Sequence, residues 1–327
     1  MSLDRTPPAR TSPGRTLLGR IIVLACAVMA LAGTAPAPAT AQAAPPAKAA
    51  APQTVTLRYG PYTIPKAENG EHGMLPNQLA FNVEKPCENC YITGFKPNLV
   101  YADGSNANIN TGPMLHHAVI FNSAAWDTVC GGPRRVLASG NERMESVFPA
   151  GYGFRIGPFD RWTLLADLMN HAHEEKTAYL EFTFTYQPVL GSHITPVIPL
   201  WLDVGGCIDS TWDTPAEPSE RSRTWRSTVS GNLVHIRGHL HHGGIAVQTE
   251  NTATGQLLCR SAAEEGGTPE FIDHHGMTEV SRMPSCSGSP IGWINRGDTL
   301  KITASYKASE AGLADVMGIM HGWVTEG

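Results

Sequence analysis

Two stretches of this chain alternate strictly: Leu180, Phe182, Phe184 and Tyr186 share one parity, and so do Leu300, Ile302, Ala304 and Tyr306. In an extended strand, residues two apart stand on the same face, so each stretch reads as a half-buried antiparallel strand. Elsewhere the apolar segments are short, and 33 glycines and 25 prolines interrupt the chain, which leaves little room for long helices. Residues 161–173 are the one segment ambiguous between helix and strand. The pattern predicts an all-β protein.

The first 41 residues read as a secretory signal. Arg5, Arg10, Arg15 and Arg20 precede an apolar run over residues 21–33, and Ala39-Thr40-Ala41 forms a small-residue cleavage site. That run is too short to span a bilayer as an ordinary helix, so the expectation is a secreted, extracellular chain with no stable membrane insertion once the signal is removed. Residues 42–54 are an Ala/Pro-rich linker. What remains, roughly 270 residues, suits two tandem antiparallel β-sandwich domains. The boundary falls after the apolar segment 198–204, giving an N-terminal sandwich over 55–204 and a C-terminal one over 205–327.

Losing the leader removes four arginines and one aspartate, which takes the formal net charge from −5 to −8. No basic face is left to neutralise phosphates, which argues against a nucleic-acid partner. Six of the seven cysteines remain, an even number that suggests disulfides in an exported protein. Cys259 with Cys286 is the first pairing expected. Cys87 and Cys90 have no second CxxC with which to complete a zinc site.

The histidines carry the chemistry. His239 and His241 lie two apart in the strand-like segment Arg237-Gly238-His239-Leu240-His241, so both point one way and can close on one metal ion. Val234, Ile236 and Leu240 fall on the opposite, core face. His116 and His117 are adjacent in another strand-like segment, and adjacent side chains share a metal only at a strand end or a bulge. Near the C-terminus, Met317, Ile319 and His321 share a face. A thioether beside two imidazoles is a soft donor that selects copper over zinc, calcium or magnesium. The chain has no HExxH motif for a zinc hydrolase.

The order His116-His117, His239-x-His241, Met317 resembles the copper type II, ascorbate-dependent monooxygenases, the family of peptidylglycine α-hydroxylating monooxygenase and dopamine β-monooxygenase. Supporting context comes from Gly151-Tyr152-Gly153-Phe154-Arg155-Ile156-Gly157, and from Arg296-Gly297-Asp298-Thr299-Leu300 leading to Asp315-Val316-Met317. The resemblance implies two jelly-roll-like β-sandwiches, each carrying one copper, that face each other across a solvent-filled gap. It assigns His116 and His117 to an electron-transfer copper, and His239, His241 and Met317 to a catalytic copper that activates dioxygen. The implied reaction is hydroxylation of a C–H bond in a small-molecule or peptide-like substrate, with ascorbate or another reductant supplying electrons.

The match is incomplete at two places. The family takes its third electron-transfer ligand from a strand histidine, and none stands at the corresponding place in 162–173. His171 is the first substitute, with Met169 and His173 as alternatives. Of the residues that bind a peptide substrate's carboxylate, Arg237 matches in position, but Ile319 and His321 stand where the family has asparagine and tyrosine. Arg237 and His321 are therefore the candidate substrate-binding residues, without support for peptidylglycine specificity. The competing reading is a non-catalytic exported copper-binding β-sandwich protein. His235, His242, His274, His275, His72 and His193 are expected to be structural or surface residues.

Overall fold

The computed structural model describes residues 51–327; the expected leader and most of the Ala/Pro-rich segment lie outside the described residues. Among these residues the chain is all-β, with two single-turn 3-10 segments, Ile109–Thr111 and Pro269–Phe271, and no α-helix. Among the described residues no helix is long and apolar enough to cross a membrane.

One nine-stranded sheet runs through the molecule. Its order is Gln53–Ile64, Lys176–Pro188, Cys90–Val100, Tyr152–Ile156, Thr195–Asp203, Gly318–Thr325, Gly231–Leu240 and Ser285–Ile294, with the short Ser146–Val147 beside Cys90–Val100. Thr195–Asp203 joins the two ends, pairing parallel with Tyr152–Ile156 and antiparallel with Gly318–Thr325. A four-stranded sheet, in the order Gly73–Val83, Trp162–Asn170, Pro113–Trp126 and Pro133–Ser139, faces the N-terminal end. Another, in the order Ser219–Arg226, Thr299–Tyr306, Gly244–Asn251 and Gln256–Ala262, faces the C-terminal end.

The alternation seen in the sequence fills the space between these layers. Leu180, Phe182 and Phe184 join Phe95, Leu115 and Trp162 in one core; Leu300, Ile302, Ala304 and Tyr306 join Ile236, Leu240 and Met320 in a second. Each fully buried Leu or Phe contributes roughly 1.5–3 kcal/mol relative to exposure, so the two rows are a large part of what holds the layers together. The ambiguous segment is a strand, Trp162–Asn170, whose residues alternate between buried and half-buried.

Val234 departs from its expected place. The register of Gly231–Leu240 shifts between Leu233 and His235, so Leu233 joins Ile236 and Leu240 in the C-terminal core while Val234 enters the N-terminal one. A bulge inserts one residue and flips the parity on one side of it. All six cysteines of the described chain are bonded. Cys259 pairs with Cys286 as expected, Cys87 with Cys90, and Cys130 with Cys207 across 77 residues.

Candidate metal centre

The outer face of the four-stranded N-terminal sheet supplies one wall of the site. Between Leu115 and His117 the pairing of Pro113–Trp126 with Trp162–Asn170 shifts register. The bulge lets two adjacent histidines serve one side of the strand. His116 and His117 thus present nitrogens within 4.8 Å of each other and of His241.

The central sheet supplies the facing wall. His239 lies near the end of Gly231–Leu240, opposite Ile319 of Gly318–Thr325. His241 follows the strand end, and its backbone N–H donates to the Tyr306 hydroxyl at 3.0 Å. That hydroxyl in turn donates to the carbonyl of Met317, so one buried tyrosine fixes the backbone beneath both a histidine and the methionine.

The four rings form one cluster. His117 Nε2 lies 2.9 Å from His241 Nε2. The His117 ring centre is 5.1 Å from that of His241 and 5.2 Å from that of His239, and the His116 ring is 5.0 Å from His241. At the 2.9 Å spacing of their Nε2 atoms, the His117 and His241 rings are in direct contact. The two ligand sets that the resemblance separates by an open gap are here in contact.

Carboxylates stand behind two of the rings. His239 Nδ1 lies 3.2 Å from both oxygens of Glu142. A carboxylate only accepts, so Nδ1 carries the proton and the lone pair is left on Nε2. That Nε2 is buried and has no partner, as is His116 Nδ1. Buried nitrogens are normally paired; these two fit a metal ion. Asp167 lies 3.8 Å from His117 Nδ1, too far for a direct hydrogen bond, and acts on that ring through its charge. Gly140 makes the His239 position sterically accessible: a Cβ there would lie 2.3 Å from the His239 ring and 2.6 Å from a Glu142 oxygen.

The protonation states suit ligation. Burial, helped by His117 and His239, pushes His116 down to about 3. Burial also lowers His117, and it lowers His241 well below the usual range with His117 adding to the effect. Neutral imidazole is the form that binds metal. Burial works against the charge on Glu142, yet His239 and Arg237 outweigh it and hold the carboxyl at about 2.

Two cavities meet at this cluster. One, of about 390 Å3, has His117, His239 and Met317 in its wall together with Phe121, Leu165, Trp201, Ile319, Arg237 and His321. The other, of about 700 Å3, is lined by His116, His117, His241 and Met317 and by the register neighbours Met74, Met114 and Met169. Met317 therefore stands between the two spaces.

The remaining candidates divide. Arg237 is buried and donates to the carbonyls of Met144 and Ala138, tying the central sheet to the N-terminal half. His321, also buried, packs tilted against Trp323 with ring centres 4.1 Å apart and lies 5.1 Å from Trp201, and neither of its nitrogens has a partner. His171 stands apart from His116 and His117. The strand ends at Asn170, whose side chain bonds Pro65, Ala172 and Glu174, and His171 turns to Asp273, 3.3 Å away, and stacks on His72 at 3.9 Å. Sequence reasoning missed Glu142 altogether, since a single acidic residue in a turn carries no spacing signal.

No family model matches the chain. It is similar to a protein named a probable copper-dependent oxygenase from Phoma sp., 29% identical over 290 residues that cover 83% of this chain and 72% of that one. A second protein named a probable copper-dependent oxygenase, from Cochliobolus lunatus, is 26% identical over 249 residues, covering 70% of this chain and 78% of the relative.

Proposed function

We propose that the protein is an exported copper-dependent monooxygenase that hydroxylates a C–H bond of a small organic or peptide-like substrate with dioxygen, drawing electrons from ascorbate or another reductant. The observation that carries this reading is the convergence of His116, His117, His239 and His241 beside Met317, with unpartnered buried nitrogens among them. The names of both relatives support its coarser part, a copper-dependent oxygenase. His239, His241 and Met317 hold the oxygen-activating copper. His116 and His117 hold the electron-storing copper, with Met169, which lines the same cavity, in the place first given to His171. Copper bound there supplies one-electron redox chemistry and an open position for dioxygen.

The chain's own residues do the rest. Glu142 keeps the His239 proton on Nδ1 and the ring in a fixed orientation. Phe121, Leu165, Trp201 and Ile319 give the smaller cavity an apolar lining that holds a hydrocarbon group and excludes water. At the same wall, the unpartnered nitrogens of His321 offer a donor and an acceptor to a polar substituent of the substrate. Arg237 keeps its charge beside them while its two carbonyl bonds hold the wall in place.

The test is metal analysis and oxygen uptake on the purified mature chain. Two coppers that depend on the four-ring cluster, and reductant-dependent uptake, are expected; a copper-loaded protein that consumes no oxygen with any reductant overturns the reading. The position of His171, away from His116 and His117, favours the second reading, a non-catalytic exported copper-binding protein. A single copper lost on His239→Ala and retained in His117→Ala would select it.

A further inference from the structure

Five histidines outside the metal centre gather in another part of the molecule: His72, His173 and the buried His171 from the first half, and His274 and His275 from the second. The nitrogens of His173, His274 and His275 lie within 4.8 Å of one another, and all three side chains are exposed. Ring centres are 5.5 Å apart for His173 and His274, 6.1 Å for His173 and His275, and 3.9 Å for His274 and His275.

Exposed imidazoles have no reason of their own to converge, so what positions them matters. Residues 272–278 form a closed turn, with Ile272 bridged to Thr278. One oxygen of Asp273 accepts the backbone N–H groups of His275 and Met277 at 2.9 and 2.8 Å. Its other oxygen faces His171 Nδ1 at 3.3 Å, with both side chains fully buried. The turn that carries His274 and His275 is therefore pinned to the end of the strand that precedes His173.

On the opposite side, His173 Nδ1 lies 3.3 Å from the carbonyl of Ala67. A carbonyl only accepts, so this contact puts the proton on Nδ1 and leaves the Nε2 lone pair free. Metal-binding histidines are oriented by the same kind of contact behind the ring.

We infer that His173, His274 and His275 form a further metal site, separate from the central one, for a divalent transition ion that takes imidazole ligands, Cu2+ or Zn2+. With three imidazole nitrogens and no oxygen donor among them, the trio suits neither Ca2+ nor Mg2+. It leaves the solvent side of the ion open. The bound ion joins the 171–173 turn to the 272–278 turn on the solvent side of the buried Asp273–His171 contact.

Equilibrium dialysis of the mature chain, first against Zn2+ and then against Cu2+, followed by metal analysis, tests this. Relative to wild type, His274→Ala/His275→Ala is expected to lose one bound equivalent of whichever ion the site takes. His239→Ala/His241→Ala is expected to keep that equivalent, and His173→Gln to weaken it about tenfold or more, in line with the loss of a ligand and its oriented ring. Circular dichroism checks that each variant is folded, and His173→Gln serves if the double variant is not. Equal metal content in wild type and His274→Ala/His275→Ala with both ions overturns the site. The readout is a metal count, so a chain that never consumes oxygen leaves the outcome unaffected.

Discussion

The two walls of the candidate metal centre hold their histidines in different ways. On the N-terminal wall, a bulge brings His116 and His117 to one side, and Asp167 stands behind His117 at 3.8 Å with 23% of its side chain exposed. On the C-terminal wall, His239 sits in a regular strand and Glu142 lies 3.2 Å behind it, only 3% exposed. Glu142 belongs to the N-terminal half, as do the carbonyls that receive Arg237. The C-terminal ring is thus fixed by residues from across the interface, and the N-terminal pair by its own sheet. Carboxylates behind ligands matter most when buried and close, so the C-terminal wall is the more strictly preorganised.

Removing a ring breaks that comparison most sharply. His239→Ala is expected to lose its copper and to bring oxygen uptake down to the metal-free background, while His171→Ala keeps both. The cost at His171 is stability instead: Asp273 loses a buried partner, a change of roughly 1–3 kcal/mol. Metal analysis and thermal unfolding of the two variants side by side check this. If His171→Ala loses copper and His239→Ala does not, the metal is held at His171 rather than by the four-ring cluster.

A smaller effect is expected at Met317. The side chain is half-buried between the two cavities and its carbonyl is held by Tyr306, so Met317→Leu keeps the backbone anchor and removes only the sulfur. Cu(I) affinity, measured by competition with a chromophoric chelator, is expected to fall while the unfolding temperature stays near wild type. Unchanged Cu(I) affinity would remove the thioether from the ligand set.

The contrast between the walls is sharpened by changing the carboxylates. Glu142→Gln is expected to weaken copper binding about 10–100-fold, the usual cost of losing an outer partner of a metal-bound histidine. Asp167→Asn, at the longer and wetter contact, is expected to cost less. Gly140→Ala is expected to resemble Glu142→Gln, because the added methyl group occupies space now filled by the His239 ring and a Glu142 oxygen. Equal effects of Glu142→Gln and Asp167→Asn would show that the two walls are held alike.

How much of this was legible in the sequence follows from the range of each cause. Period-two alternation is local, and it identified the strands holding Leu180 and Leu300 and the face shared by Met317, Ile319 and His321. The need for a bulge at His116-His117 was also local, because adjacent residues cannot otherwise share a side. The bulge at 233–235 was not, because it depends on two neighbouring strands, and it moved Val234 into the other core. His171 was misleading for a similar reason: strand parity gave it a face only as long as the strand lasted, and the strand ends one residue earlier. The sharing of one sheet by both halves, the meeting of four imidazoles and the role of Glu142 all depend on contacts between segments far apart in the chain.

The smallest expected effect separates a buried histidine from the centre it borders. His235 shares the strand face of Arg237 and His239, but packs between Phe148 and Trp323, with Nδ1 against the Ser287 hydroxyl and Nε2 unpartnered. Burial, and then the nearby Arg237, push its pKa from the ordinary 6.5 down to about 4. Between those values the unfolded chain binds a proton that the folded chain refuses, so this contribution to stability is complete above about 6.5 and is lost as the pH falls toward 4. The full loss is on the order of a few kcal/mol. The buried His116, His117 and His241 act with the same sign, so replacing His235 removes only part of the slope. Metal-free His235→Gln is therefore expected to show a smaller drop in unfolding temperature between neutral pH and pH about 5 than metal-free wild type. An unchanged drop would mean that His235 titrates alike in the folded and unfolded chain, and that the acid sensitivity belongs to the other buried histidines, His116, His117, His171, His241 and His321.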